Sequence, residues 1–475
     1  MQWLDTRRAP AALRCTYCGT SGDFAHHTSF SYMGRDYALY CCPLCASLIY
    51  DPPDIVVAIP KPYTEAYKQN IRVGNKYYLE SGYSADFIAR CGLAAMSGVP
   101  QAAWKDHLFV DVGAGLGLGS YLIQSMFDIE TLVIEPSYTG ELGRELLGIE
   151  IHNAYFEHLP ADVMARLERK PTLLHLNSVI EHLRDPGAVI RELMQRTRIE
   201  VIAAIVPDAA AIDTNASFTA MLPYLAPGDH LHLPTAEGMR RLFHGLGFAH
   251  CEVRQVGALL MAVGAQRPIA SPSQAEIDAA RDRFLAKLVG HPNVQVAGGA
   301  AARLLPLALA TGDEALLGRI RARFAQDLDA GQLTAMVKGG GTWAEIPFHL
   351  GPTAFWLAVD AFSRHVSEAG YVWLDLVEAF AERIAVDYPP YSMQSLDFKW
   401  ESRMYRAHFL AAEGRGRAAA IWLESVVESA ADAVRGARPE QVARARVALE
   451  AVLAAAPGPL PASPAAEEQS EPALP

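Results

Sequence analysis

Between residues 107 and 265 the chain alternates between two kinds of hydrophobic pattern. Short apolar runs (HLFVDV, TLVIEP, TLLHLN and VIAAIVP) are separated by stretches such as LGSYLIQSMF and PGAVIRELMQRT, whose apolar positions recur at helical spacing. That alternation predicts a parallel sheet covered by helices. The region closes with GFAHCEVRQVGALLMAVGA, two strand-like runs joined by a short turn, which predicts an antiparallel edge.

The flanks differ from this core. Residues 1–52 form a small cysteine-bearing module that ends at the turn-like Asp51-Pro52-Pro53. Residues 54–105 mix tyrosines and polar residues with helical periodicity and read as helices leading into the main domain. After the linker QRPIASPSQ the composition shifts to alanine, leucine and arginine, with amphipathic stretches and glycine stops. Residues 275–455 are therefore expected to form an all-helical domain without a fixed repeat period. The arginines of RARFAQ and RGRAAA are read as solvated helix faces, MVKGGGTWAEIPFHLGP (336–352) as a connector, and the aromatics of 388–400 as core. Residues 456–475, rich in Pro, Ala and Glu, are expected to be disordered.

Composition narrows the class. Hydrophobic residues make up 51% and charged residues 20%, ordinary values for a soluble protein. A net charge of −12 argues against general nucleic-acid binding, which needs clustered Lys and Arg. The N-terminus lacks an apolar signal region, and no apolar run approaches the ~20 residues of a membrane span. A cytoplasmic protein with reduced cysteines is expected.

The stretch LFVDVGAGLGLGS (108–120) is a strand feeding a glycine loop that some ligand approaches closely. It is not the dinucleotide fingerprint, because the third glycine position holds Leu118 or Ser120. It is not a phosphate loop either, since no Lys follows. What remains is Asp111, Gly113, Gly115 and Gly117. A carboxylate at the loop mouth repels pyrophosphate and suits an ammonium or sulfonium group. Glu135, 24 residues beyond Asp111 at the end of the next strand, can accept both hydroxyls of a ribose. A nucleoside without phosphate and with a cationic amino-acid tail describes S-adenosylmethionine.

On these residues, 107–265 resembles a class I S-adenosylmethionine-dependent methyltransferase. VDVGAGLG, VIEPS, LLHLNSVIEHLRDPGAVIREL and GDHLHLPTAEGMRRLFHGLGF stand in the family's order. The resemblance implies an α/β, Rossmann-like seven-stranded sheet with its last hairpin antiparallel. The family's usual acidic residue before the Leu-Pro of the adenine segment is missing from YFEHLP, which leaves Tyr155 and Phe156 to line the adenine. Asn177 and Ser178, at the fourth strand's end, are ligand contacts or a helix cap.

Cys15-Thr-Tyr-Cys18 and Cys42-Pro-Leu-Cys45 form two C-x2-C knuckles separated by 23 residues. Four thiolates suit a closed tetrahedral, structural zinc site; Cys41 can replace Cys42, and His26 and His27 are further candidates. A zinc module ahead of a methyltransferase domain resembles the layout of sugar C-methyltransferases acting on nucleotide-linked deoxysugars. The helical C-terminal part departs from that family's α/β tail.

Methyl transfer needs an aligned nucleophile and often a base. Candidates are Glu181-His182, just past the fourth strand, and Asp229-His230, with His232 beside it. The acidic-His pair matches the place where sugar C-methyltransferases face their substrate, but the tyrosine just upstream in those enzymes has no counterpart in register, Tyr224 lying nearby. The expected function is methyl transfer to a small molecule, a sugar, nucleotide-sugar or related metabolite. The alternatives are a protein or glycan polymer docked on the helical domain, and a non-catalytic scaffold that retains the cofactor pocket.

Overall fold

The first fifty residues build a sheet of short strands. These are β1 (Gln2–Leu4), β2 (Ala11–Arg14), β3 (Ser21–Tyr32), β4 (Arg35–Cys41) and β5 (Leu48–Asp51), all antiparallel to their partners. The computed structural model describes residues 2–51, 62–80, 85–327, 329–343, 346–388, 392–432 and 435–455. Pro52, Pro53 and the tail 456–475, expected to be a turn and a disordered segment, lie outside the described residues. The chain divides into two compact units, Met1–Ala300 and Ala301–Pro475.

Helices α1 (Glu65–Glu80) and α2 (Ala85–Met96) precede the central sheet. That sheet runs β7-β6-β8-β9-β12-β11, where β6 is Leu108–Val112, β7 Glu130–Ile134, β8 Thr172–Asn177, β9 Ile199–Pro207, β11 His250–Val256 and β12 Leu259–Ala265. The first four are parallel, and β12 is antiparallel to both β9 and β11. The continuous apolar runs have a simple cause. Val201 to Val206 of β9 are essentially inaccessible because the parallel strands are covered on both faces. Helices α3 (Leu118–Phe127), α4 (Tyr138–Leu147), α5 (Ala161–Arg169), α6 (Pro186–Arg196), α7 (Phe218–Leu225) and α8 (Ala236–Gly245) fill the connections. Ser137, Asp185 and Thr235 cap α4, α6 and α8 through side-chain oxygens.

The sheet has six strands among the described residues, not the seven that the resemblance implied. The missing one, outside β7, is reduced to a single bridge between Ile134 and His152. His152 donates its amide to Val133 O and accepts from Glu135 N. The next step leaves the ladder: Ala154 N turns back onto His152 O, and the Asn153 amide donates to the carbonyls of Glu135 and Ser137. A strand is thus traded for a brace at the end of β7.

The cysteine module is joined to the central region by a shared sheet. A two-residue strand, β10 (His232–Leu233), pairs with Ile49 and Leu48 of β5, giving the order β1-β3-β4-β5-β10. Buried His232 secures the seam. Its Nε2–H donates to Leu183 O at 2.7 Å, and its Nδ1 accepts from the Tyr17 hydroxyl at 2.5 Å. Burial pulls the His232 pKa down to about 4, so the ring is neutral as this pattern requires. Helix α9 (Gln274–Leu288) follows the sheet, and α10 (Val294–Thr311) runs through the division between units.

The second unit is helical. It contains α11 (Glu314–Asp327), α12 (Ala330–Lys338), α13 (Leu350–Ser363), α14 (Ser367–Asp387), α15 (Met393–Ala412), α16 (Gly416–Glu428) and α17 (Pro439–Ala455), and α13 to α17 each pack on the next. The glycine-rich connector is tied down. Arg383 donates to the carbonyls of Val337 and Gly341, and buried Trp343 donates to Asp387 at 2.8 Å. Arg403 makes a bidentate pair with Glu378 and lies over the Trp400 ring, so this arginine is structural. No described helix is long and apolar enough to cross a membrane.

Tyr17→Phe removes the hydroxyl that His232 Nδ1 accepts from and leaves a buried acceptor unpaired. A loss of about 1–3 kcal/mol is expected for the first unit, read as a lowered urea midpoint. An unchanged midpoint would mean that the seam contributes no stability.

Candidate functional site

The glycine loop lies between β6 and α3, and its backbone is left-handed at Gly113, Gly115 and Gly117, with φ of 69°, 56° and 77°. Two of these glycines are needed for packing: a Cβ at Gly113 would strike Val179, and one at Gly117 would strike Ile149. Gly115 is different. A Cβ there would meet only Thr139 Cγ2, at 3.8 Å, so no packing partner explains this glycine. The Gly115 amide donates to Glu135 Oε2 at 2.9 Å, and the Ser137 amide donates to Oε1 at 2.8 Å. Glu135 is thereby held at the end of β7 with spare lone pairs on both oxygens.

Asp111 is not at the loop mouth, where the sequence reading placed it. It is 2% exposed, and both oxygens are used: His175 Nδ1–H donates to Oδ1 at 2.8 Å and Ser120 Oγ to Oδ2 at 2.8 Å. The carboxylate clamps β6 to β8 and α3 beneath the loop. Both oxygens are therefore committed within the protein and neither faces the loop mouth. The sequence signal for the clamp was His175, the polar residue inside the apolar run of TLLHLN.

The adenine segment also divides. Phe156 packs into the core, whereas Tyr155 is 58% exposed and is the one of the pair that presents a ring to solvent. Two tyrosines that sequence reasoning passed over as part of the lead-in come close to this end of the sheet. Tyr63 donates to Pro136 O at 3.0 Å, stacks on Tyr67 and lies 5.8 Å from Tyr138. Burial, with the nearby charges of Glu141 and Glu135, pushes the Tyr63 phenol up to about 12. Only the density of tyrosines in that stretch hinted at a role.

At the C-terminal end of β8 the chain is strained. Ser178, a non-glycine residue, has φ 54° and donates its amide to Ile205 O. The tight turn Ile180–His182 follows. The structure brings Glu181, His182 and His230 together, with one donor atom from each within 4.8 Å of the others. Glu181 is 0% exposed and neither carboxylate oxygen has a hydrogen-bond partner. His230 Nε2 is 4.0 Å from Glu181 Oε1, and the two imidazole rings are 4.9 Å apart. Burial pushes the Glu181 carboxyl up to about 8. Burial, aided by His182, pulls His230 down to about 4. Asp229 contributes through its backbone: its carbonyl accepts from His182 Nδ1, while its side chain is exposed. Tyr224 likewise acts through its carbonyl, which accepts from His230 Nδ1 at 2.9 Å. Asn177 sits at the strand end, within 3.5 Å of the Ser178 hydroxyl.

The four knuckle cysteines converge. Cys15 Sγ is 3.6 Å from Cys45 Sγ and Cys18 Sγ is 3.5 Å from Cys42 Sγ, all four within 4.8 Å. Cys41 lies outside the cluster, its thiol directed at Cys42 O, and His26 is hydrogen-bonded to Ser29. The two knuckles share one geometry. Cys15 N bonds Thr20 O and Gly19 N bonds Cys15 O; Cys42 N bonds Ser47 O and Ala46 N bonds Cys42 O. Ser47 also accepts from Thr235 N, and Thr235 Oγ1 donates to Cys45 O, which anchors α8 on the second knuckle.

Residues 94–253 match a family model described as a methyltransferase domain. No curated protein matches the chain. Among solved structures it is similar to the plantazolicin methyltransferase BpumL in complex with SAH, at 12% identity and a TM-score of 0.31, over 41% of this chain and 89% of that one. It is also similar to an O-methyltransferase family protein from Burkholderia thailandensis, at 13% identity and 0.31, over 42% and 60%. A third is the N-terminal domain of EvdMO1 with SAH and D-fucose, at 15% identity and 0.26, over 38% and 82%. The family match, on a sheet carrying this glycine loop, makes residues 94–253 an S-adenosylmethionine-dependent methyltransferase domain.

Gly115→Ala places a methyl group on the glycine loop at a left-handed φ, itself costing about 1–2 kcal/mol. S-adenosylhomocysteine binding, measured by calorimetry, is expected to weaken at least ~tenfold. Undiminished binding would remove Gly115 from the cofactor site.

Proposed function

We propose that this chain transfers the methyl group of S-adenosylmethionine to a small-molecule acceptor, a sugar, nucleotide-linked sugar or related metabolite. The observation that carries the reading is the cluster of Glu181, His182 and His230 at the C-terminal end of β8. In open α/β sheets ligands bind at the carboxyl ends of the strands, the end where the glycine loop and Glu135 also lie. Two of its three members are buried, which suits a hydroxyl or amine on a compact molecule better than a polymer chain. No nucleic acid is expected as acceptor, given the net charge of −12.

The cofactor supplies an electrophilic methyl on a sulfonium. Glu135 would accept the ribose hydroxyls with its remaining lone pairs, Gly115 would admit the ligand, and Tyr155 would lie against the adenine. Asp111, beneath the loop, would favour the cationic tail. Asn177 would face the reacting end. Glu181, His182 and His230 would receive the acceptor and activate its nucleophile, with Asp229 orienting His182 through its carbonyl.

Cys15, Cys18, Cys42 and Cys45 fit a structural zinc ion. Zn–S bonds of about 2.3 Å in a tetrahedron put sulfurs ~3.8 Å apart, close to the spacings of 3.5 and 3.6 Å. The ion would fix both knuckles, and through Ser47 and Thr235 it would fix the start of α8.

Methyl-labelled S-adenosylmethionine, incubated with the protein and an extract of its source cells, tests the acceptor class. Label is expected among small molecules. Label confined to polymers overturns that class, and no label with cofactor bound overturns catalysis. For the metal, Cys18→Ser is expected to lose one zinc per chain by elemental analysis and to lower the thermal midpoint. Equal zinc in variant and parent would sink the structural assignment.

A further inference from the structure

We propose that Glu181, His182 and His230 bind a divalent transition-metal ion, through the Glu181 carboxylate and the Nε2 atoms of both imidazoles. The argument begins with the tautomers. His182 Nδ1 is 2.8 Å from Asp229 O, and His230 Nδ1 is 2.9 Å from Tyr224 O. A carbonyl oxygen can only accept, so each Nδ1 carries the hydrogen and each Nε2 presents a bare lone pair. Backbone carbonyls on the far nitrogens are the partners that orient metal-bound imidazoles.

One nitrogen of each imidazole lies within 4.8 Å of a carboxylate oxygen, and for His230 that nitrogen is the bare Nε2. Glu181 is wholly buried, and both of its oxygens lack a hydrogen-bond partner. A proton alone does not resolve this. The 4.0 Å between Glu181 Oε1 and His230 Nε2 is too long for a hydrogen bond. Two ligands sharing an ion at about 2.1 Å and a tetrahedral angle lie ~3.4 Å apart, so this pair has to close by only ~0.6 Å to hold one. The two segments are also cross-tied, since Leu231 N donates to Glu181 O at 2.9 Å, so the donors are held before an ion arrives.

The donor set selects the ion. Two imidazoles and one carboxylate favour manganese, iron, cobalt or zinc over magnesium or calcium, which prefer oxygen ligands. Three protein ligands leave positions open. The site stands on its own geometry; its catalytic use rests on the methyl-transfer reading above. An acceptor hydroxyl bound at an open position would lose its proton to solvent water. Its oxygen would then form the new O–C bond as the S–C bond of the sulfonium breaks, and neutral S-adenosylhomocysteine would leave.

Manganese(II) tests the site because it does not compete for a four-thiolate zinc centre. The full chain, its cysteine site zinc-loaded, is titrated with Mn2+ and the free ion is read by electron paramagnetic resonance. One bound Mn2+ per chain is expected, weakened at least ~tenfold by Glu181→Gln and by His182→Gln, the most exposed of the three ligands. S-adenosylhomocysteine affinity serves as the folding control and is expected to be unchanged in His182→Gln. Equal Mn2+ uptake by parent and both variants, or no uptake by the parent, overturns the site. The methyl-label assay separates the two readings. Transfer that persists without bound metal sinks the metal's catalytic use and leaves His230 as a direct base. Metal bound at these residues without any methyl transfer upholds the site and sinks the catalytic reading.

Discussion

Much of the proposed acceptor side of this protein depends on one neutral, buried imidazole. His232 joins three stretches that are remote in sequence: Tyr17 from the first cysteine knuckle, Leu183 from the turn after β8, and its own strand β10. An apolar residue of similar size would strand the Leu183 carbonyl and the Tyr17 hydroxyl in the interior, so the junction must be polar and fully paired. With His232 in place, the turn bearing Glu181 and the loop bearing His230 are fixed from both sides. Tyr50, on the neighbouring strand β5, adds a further tie through its hydroxyl to Leu225 O.

The two halves of the site differ in how complete their hydrogen bonding is. On the proposed cofactor side Glu135 and Asp111 already have protein partners. Glu135 is held by two backbone amides and Asp111 by His175 and Ser120. Such a surface is preorganised, and a ligand meets oriented groups rather than having to order them. On the acceptor side the reverse holds, because both oxygens of Glu181 are buried without a partner. Buried polar groups left in this state are costly, so the fold tolerates there a penalty that a ligand, an ion or a substrate would relieve.

The sequence was most legible where a single physical rule acts. TLLHLN and LGSYLIQSMF mark β8 and α3 to the residue, because apolar periodicity alone defines those elements. Spacing found the knuckles but could not separate Cys41 from Cys42. Cys41 ends β4 and Cys42 begins the knuckle turn, and only the fold shows that boundary and which thiol meets Cys18. Asp111 was recognised as important but assigned the wrong direction, since its partner His175 is 64 residues away and has no motif. The strand lost at His152 was invisible for a similar reason: the turn of Ala154 and the reach of Asn153 are long-range choices. Tyr63 and the Glu181–His230 approach likewise arise only when distant segments meet.

The paired knuckles look like two printings of one motif, yet they are not equally free to vary. Each has a left-handed residue after its second cysteine, Gly19 in one and Ala46 in the other, followed by a hydroxyl residue, Thr20 or Ser47. Thr20 serves only its own turn among the described contacts, whereas Ser47 also accepts from the amide that begins α8 and sits where a side chain on Gly238 would collide with it. Ser47 therefore carries an obligation to a distant helix that Thr20 does not. Drift in sequence should accumulate at Thr20, while Ser47 stays hostage to the helix it supports and Tyr17 to the His232 junction.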